Sequence, residues 1–120
     1  MNKISREQFE FYKQKHYELW DWLSKHPDGT KWDWFDSVCP ERLEAENNCF
    51  ACEITRIIDG ADEGFCGCCP ITDFELMDCC DGLYSLYTKF WYDKEKRTYF
   101  AEQIRDLPWD KNNVLDYVED

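Results

Sequence analysis

The stretch from Ser5 to Lys25, SREQFEFYKQKHYELWDWLSK, decides the fold class that the sequence predicts. Its apolar residues recur at spacings of three and four, which is the period of an amphipathic helix with one buried stripe. The stripe consists of Phe9, Tyr12, His16, Leu19, Trp20 and Leu23. Ser5 followed by Gln8 is typical of a capping box, and the HPDG sequence at 26–29 ends the pattern. We therefore expect an N-terminal helix over residues 5–25.

A second helical period occupies LYSLYTKFWYDKEKRTYFAEQIRDLP, residues 83–108. It predicts a C-terminal helix over 83–107 that ends before Pro108. The predicted buried face comprises Leu83, Leu86, Tyr87, Phe90, Trp91, Ala101 and Ile104. Asp93 and Arg97, four residues apart, are expected to form an ion pair on this helix. The short acidic tail at 109–120 is expected to be loosely held.

Between these helices the periodicity is weaker. Residues 31–38 predict an irregular or partly helical segment pinned by Trp32, Trp34 and Phe35, and residues 40–48 are able to form a short helix. The β-branched run at 55–58, TRII, favours a short strand. A chain of 120 residues has the length of one domain. The expected fold is mainly α with a small β contribution, in which both long helices pack around a zinc-ribbon-like Cys₄ knuckle region over 39–81.

Two C-x-x-C pairs define that region. Cys49 and Cys52 form the first pair, Cys66 and Cys69 form the second, and thirteen residues separate them. Two such pairs can present four thiolates at the corners of a tetrahedron, which is the geometry that structural Zn²⁺ requires. The spacing therefore predicts a structural zinc site with these four ligands.

The other four cysteines are Cys39, Cys68, Cys79 and Cys80. Buried cysteine is often a small apolar side chain, and this is the simplest expectation for most of them. Any of the four is also an alternative to one of the predicted ligands. A second site built from Cys39, Cys79 and Cys80 with His26 is a further alternative, although these residues lack ligand spacing.

The expected compartment favours metal over disulfides. The N-terminal residues lack the apolar segment of a secretory signal, so we expect a cytoplasmic protein whose thiols stay reduced. A redox C-x-x-C requires a positive environment that stabilises its thiolate. The neighbours here are acidic, namely Glu53, Asp59, Asp62 and Glu63. A bound cation is compatible with such neighbours, whereas a redox centre is disfavoured.

Catalysis has little support in the sequence. His16 and Glu18 match the H-x-E element of zinc-dependent nucleobase deaminases, but neither C-x-x-C is preceded by proline as those enzymes require. The chain also lacks a P-loop, a nucleophile elbow and a dinucleotide fingerprint. We expect that the protein is not an enzyme, and a deaminase-like activity is the weakest alternative.

The net charge of −12 is concentrated in the middle of the chain. Residues 31–82 contain thirteen acidic and three basic residues. Such a field repels nucleic acid and attracts a basic protein surface, although an acidic surface also simply promotes solubility. The alternative is a zinc-ribbon module accessory to viral transcription or replication, for which the last helix offers Lys89, Lys94, Lys96 and Arg97.

Several motifs together resemble a family of small zinc-ribbon-like proteins encoded by phages and prophages of Gram-positive bacteria. They are HPDGTKWDW at 26–34, NNCFACE at 47–53, CGCCPI at 66–71, GLYSLYTKFWYDKEKR at 82–97 and AEQIRDLP at 101–108. The resemblance implies the same zinc ligands, Cys49, Cys52, Cys66 and Cys69, and a role inside a bacterial host cell. The extra cysteines depart from the family pattern, and the family has no established activity to transfer. We expect an interaction protein that inhibits a host nucleic-acid-handling or defence system, of the anti-CRISPR or another anti-defence type.

Overall fold

The computed structural model describes residues 2–38, 50–59, 70 and 83–119, and within them the fold is mainly α, as predicted. The elements in chain order are strand β1 (Ile4–Ser5), helices α1 (Arg6–Lys25) and α2 (Lys31–Asp33), a π-helical turn (Trp34–Val38), helices α3 (Phe50–Asp59), α4 (Ser85–Lys89) and α5 (Lys94–Arg105), a 3₁₀ helix (Lys111–Tyr117) and strand β2 (Val118–Glu119). None of the helices in these ranges is long and apolar enough to cross a membrane.

Helix α1 is the centre of the described structure and confirms the predicted N-terminal helix. Ser5 caps it, because its hydroxyl oxygen accepts a hydrogen bond from the Gln8 backbone N–H at 3.1 Å. The predicted stripe is buried, except that Tyr12 is half-buried. Helix α1 packs against both α5 and α3, and this packing buries its stripe almost completely.

The strand predicted at 55–58 is wrong, because these residues lie in α3. Phe50, Ala51, Ile54 and Ile58 recur at helical spacing, and each is at most 1% exposed. Burial of that stripe outweighs the strand preference of the β-branched residues. The end of α3 is closed by Asn2, whose backbone N–H donates to the Ile58 carbonyl at 2.7 Å.

The single C-terminal helix predicted over 83–107 is also wrong, because the chain turns between α4 and α5. Asp93 starts α5 as its N-cap, and its carboxylate accepts a hydrogen bond from the Lys96 N–H at 3.1 Å. Leu83, Leu86 and Phe90 are half-buried, while Tyr87, Ala101 and Ile104 are buried as expected. Trp91, expected in the core, is 70% exposed on the turn. The N-cap at Asp93 therefore starts a new helix at a point where periodicity alone predicts one continuous helix.

The tail is docked, contrary to the prediction that it is loosely held. Trp109 is 4% exposed and contacts the ring of Phe9, with centroids 5.8 Å apart. Val114 is fully buried in the same core. Strand β2 pairs in parallel with β1, placing Val118 opposite Ile4. Burial of these apolar residues offsets the entropy lost in ordering the tail.

The segment after α1 is helical over a short distance. Thr30 and Asp33 form a capping box that starts α2. Trp34 is buried and Phe35 half-buried, both against the core, but Trp32 is 63% exposed, so Trp32 does not pin the segment. The helix expected over 40–48 lies outside the described residues, as does most of the predicted zinc-binding region at 39–81.

Candidate functional site

Only one of the four predicted zinc ligands falls within the described residues. Cys52 is the third residue of α3, while Cys49, Cys66 and Cys69 lie outside. The alternative ligands Cys39, Cys68, Cys79 and Cys80 also lie outside. Among the described side chains there is no group of three or more His, Cys, Asp or Glu residues arranged to hold a metal ion. The zinc site therefore stays a prediction, with one ligand position given by the fold.

The position of Cys52 suits a thiolate ligand. The N-terminal turn of a helix favours negative charge, and the thiolate is the form of cysteine that binds metal. Helix α3 is held firmly, since Phe50 packs against Trp34 and Tyr12 with ring centroids 6.1 Å away in each case. The donor chemistry of four cysteines fits Zn²⁺, and α3 would join such a site directly to the core.

Glu53, which follows Cys52, is a buried carboxylate. It is only 1% exposed, and its Oε2 accepts hydrogen bonds from Arg56 Nη2 at 3.0 Å and Nε at 3.3 Å. The sequence placed Glu53 among the acidic neighbours of the cysteines without indicating burial. Because Arg56 lies one helical turn away, the helix itself supplies the compensating charge.

The His16 and Glu18 fragment is not assembled into a catalytic pair by α1. His16 is 1% exposed, and its Nε2 donates to the Ile104 carbonyl at 2.9 Å. Glu18 forms an ion pair with Lys15 at 3.0 Å. Residues two apart on a helix do not face each other. The hydrogen bond of His16 instead ties α1 to α5.

His26, the candidate for a second metal site, contacts its own helix. Its Nδ1 donates to the Trp22 carbonyl at 2.8 Å, and its ring stacks on Trp22 with centroids 4.2 Å apart. Its suggested partners Cys39, Cys79 and Cys80 lie outside the described ranges. The described contacts of His26 thus belong to the end of α1.

The basic residues of the last helix do not form a continuous stripe. Arg97, predicted to pair with Asp93, instead donates to the carbonyls of Pro27 at 2.7 Å and Gly29 at 3.1 Å, and to the Tyr87 hydroxyl at 2.8 Å. Lys94 pairs with the exposed Asp28 at 3.1 Å. Arg97 acts as a clamp between α5 and the turn after α1. Sequence reasoning missed it because two acceptors are backbone carbonyls about 70 residues away.

A second arginine, Arg105, holds α5 to α1. Its Nη1 lies 3.0 Å from Asp21 Oδ1, and its Nε donates to Asp106 at 2.8 Å. The hydrogen bond from Lys25 lowers the pKa of Asp21, and that from Arg105 lowers it further, although burial opposes both. The hydrogen bond from Arg105 likewise lowers the pKa of Asp106. The same bonds raise the pKa of Arg105.

Charge is divided unevenly between the described scaffold and the cysteine-bearing segments. The scaffold contains 13 of the 14 Lys and Arg residues and 16 of the 26 Asp and Glu residues. The segments at 39–49, 60–69 and 71–82 contain nine acidic residues and one basic residue, together with seven of the eight cysteines. The acidic excess therefore belongs to the same parts of the chain as three of the four predicted zinc ligands, Cys49, Cys66 and Cys69.

Comparison with known proteins adds no functional assignment. No family model, no curated protein and no solved structure matches this chain. The placement, charge and contacts of the residues are therefore the grounds for a functional proposal.

Proposed function

We propose that this chain is an acidic zinc-binding protein that acts by binding another protein. The observation that carries the proposal is the uneven charge: nine acidic residues and one basic residue share the segments that contain seven cysteines. A helical scaffold of nearly balanced charge that carries strongly acidic segments is suited to recognition of a basic protein surface.

Structural Zn²⁺ would organise those segments. Cys49, Cys52, Cys66 and Cys69 are the proposed ligands, in a zinc-ribbon-like knuckle attached to the core through α3. Four thiolates and one Zn²⁺ carry about two negative charges, so the metal would deepen the acidic field. In this arrangement the metal orders the surface, and the carboxylates make the contacts.

The partner that fits this chemistry is a basic groove that normally accepts nucleic-acid phosphates. The resemblance to phage proteins implies an interaction in the cytoplasm of a bacterial host, where the proposed partner is a defence nuclease or another nucleic-acid-handling protein, including a CRISPR effector, with such a groove. Carboxylates that occupy the groove would inhibit it. The use of Arg97 and Lys94 in contacts within the chain supports this function over a nucleic-acid-binding transcription or replication module.

The proposal can be tested by capture followed by a quantitative binding assay. The tagged full chain, prepared under reducing conditions, is used to capture a host protein, and its affinity is measured between low and moderate salt. We expect binding that weakens as salt rises, because opposite charges accelerate association. The variant Asp73→Asn, Asp78→Asn, Asp81→Asn should bind at least about tenfold more weakly at low salt.

A matched variant controls for net charge alone. Asp36, Asp110 and Asp116 are exposed positions of the described scaffold, and their replacement by Asn removes the same charge. This control should bind nearly as well as the original chain. Equal weakening by both variants, or binding of purified DNA or RNA that weakens as salt rises, would contradict the proposal.

A further inference from the structure

Five aromatic side chains form a connected surface where the turn between α4 and α5 meets α5. The rings of Phe90 and Phe100 stack with their centroids 5.8 Å apart, and this contact joins the turn to the helix. Tyr92 extends the group from Phe90 to Trp91, and Phe100 extends it to Tyr99, through ring contacts of 5.2–6.2 Å between centroids. We call these five residues the aromatic patch.

The aromatic patch presents a large apolar surface to solvent. Trp91 is 70% exposed, Tyr92 67% and Tyr99 57%. At roughly 200 Å² for each large aromatic side chain, these fractions leave about 400 Å² of aromatic surface in contact with water. One exposed indole has no such meaning, since Trp32 is also 63% exposed. Ring contacts make this patch continuous, and continuous apolar patches of a few hundred Å² often mark sites of protein–protein contact.

The charges beside the patch have both signs. Lys96 Nζ lies 4.4 Å from the centroid of the Phe90 ring and Lys89 Nζ lies 5.7 Å from it, and neither lysine forms an ion pair with another described residue. Glu95 is an exposed carboxylate next to Lys96 in the chain. Residues 83–105 contain five basic and three acidic residues, although the whole chain has a net charge of −12. Two copies of the protein therefore repel each other less through this part than through their acidic segments.

We propose that the aromatic patch is a self-association surface through which two copies of this chain form a symmetric dimer. Both copies contribute the same surface to a two-fold interface, so a patch that carries lysine and glutamate can pair with itself, whereas a patch of one sign would repel itself. Homodimer interfaces are also richer in apolar and aromatic surface than the rest of a protein.

The area of the patch sets the expected strength of the dimer. About 400 Å² from each copy is half of the roughly 800 Å² that each partner contributes to an interface of standard size. The flanking side chains would supply the remainder as a polar rim. We therefore expect a reversible dimer with a dissociation constant of about 1–100 µM.

The test is sedimentation velocity of the full chain under reducing conditions, between about 1 and 500 µM, at low and at moderate salt. Monomer should convert to dimer as the concentration rises. Dimerisation should be at least as strong at moderate salt, because salt screens the repulsion between two chains of net charge −12. The host-protein interaction proposed above weakens as salt rises, so the two interactions can fail independently.

Two variants locate the interface. Trp91→Ala should raise the dissociation constant by at least about tenfold, because tryptophan is often a dominant residue of an interface. Trp32→Ala is the matched control, since it removes a comparably exposed indole that does not belong to the patch. The control should keep the original dissociation constant. Trp91 is exposed, so its variant should fold, and far-ultraviolet circular dichroism checks this.

Three results would overturn the inference. The first is a monomer at every concentration, whether or not the patch then binds lipid vesicles or another protein. The second is a dimer whose dissociation constant Trp91→Ala leaves unchanged. The third is a dimer that weakens as salt rises, because such a dimer would be held by opposite charges rather than by the aromatic rings.

Discussion

At the scale of single residues, Arg97 shows how one side chain connects distant parts of the chain. Its guanidinium joins α5 to the turn after α1 through the carbonyls of Pro27 and Gly29. The turn is closely packed, because a Cβ added to Gly29 would meet the Trp22 ring at 2.7 Å. The sequence predicted a solvated pair between Arg97 and Asp93, but Asp93 is used as a helix cap.

Arg97→Lys should destabilise the protein although the charge is kept. A lysine ammonium cannot reproduce the planar fork that reaches three acceptors, so we expect a loss of about 2–3 kcal/mol in the free energy of unfolding. Chemical denaturation measures this loss. Arg6→Lys is the control, because the Arg6–Glu10 pair is exposed and should change stability by less than about 0.5 kcal/mol. Similar losses in the two variants would contradict the clamp.

The Asp21 carboxylate should contribute a pH-dependent part of the stability. Its pKa is lowered in the folded state, chiefly by the hydrogen bond from Lys25 and also by that from Arg105. A carboxyl with a lowered folded pKa stabilises the protein above its unfolded pKa of about 3.9, and this stability is lost as pH falls through the folded pKa.

Asp21→Asn should therefore clearly lower the midpoint of thermal unfolding at pH 6 and lower it much less at about pH 2.5. Thermal unfolding of the original chain and the variant at both pH values measures the difference. Asp116→Asn, at an exposed position, should shift the midpoint little at either pH. An equally large decrease in the midpoint for Asp21→Asn at both pH values would disprove that the stabilisation depends on the ionised Asp21 carboxylate.

At the scale of elements, local pattern and tertiary packing disagree in three places. The run at 55–58 favours a strand but lies in α3, because the stripe that starts at Phe50 has helical spacing and is fully buried. The predicted C-terminal helix divides because Asp93 caps α5. The tail docks because the buried ring of Trp109 packs edge-on against the rings of Phe9 and His16.

Trp109→Ala should strongly destabilise the described fold. The indole is 4% exposed and contacts two rings of α1, so its removal leaves a large cavity and should cost about 3–5 kcal/mol. Denaturant unfolding measures the cost. Leu115→Ala lies in the 3₁₀ helix that follows Trp109, at a site 47% exposed, and it should cost less than about 1 kcal/mol. A small effect of Trp109→Ala would show that the tail adds little to the fold.

At the scale of the whole molecule, α3 belongs to the helical scaffold and lies in the sequence between two of the acidic cysteine-bearing segments, 39–49 and 60–69. The scaffold buries its own apolar core, with Phe50, Ile54 and Ile58 contributed by α3. If Cys52 in the first turn of that helix is a zinc ligand, loss of the metal should affect the core as well as the acidic segments.

Zinc removal is therefore expected to lower the stability of the whole chain. Elemental analysis under reducing conditions should find about one zinc per chain, and a chelator should lower the thermal midpoint by at least about 10 °C. Cys66→Ser should lose the metal, whereas Cys39→Ser should retain it. Well under one zinc per chain, or an unchanged midpoint in chelator, would disprove the predicted site.

The zinc site stays a prediction, drawn only from chemistry that follows local spacing. Two C-x-x-C pairs indicate Zn²⁺ from residue type and separation alone, and no fold is needed for that inference. The contacts of Arg97 had no such signal, because Arg97 and its acceptors at Pro27, Gly29 and Tyr87 come from three separate parts of the chain. Their common position depends on how α1, α4 and α5 pack.

The sequence by itself determined α1, its cap at Ser5 and its buried stripe, because periodicity and capping act within one turn of a helix. It also determined the division of charge and the cysteine spacing. Tertiary structure alone decided that the tail is docked, that Arg97 clamps a turn about 70 residues away and that Trp91 and Trp32 are exposed. These features depend on contacts between residues far apart in the chain, whose free energies exceed local preferences once the core has formed.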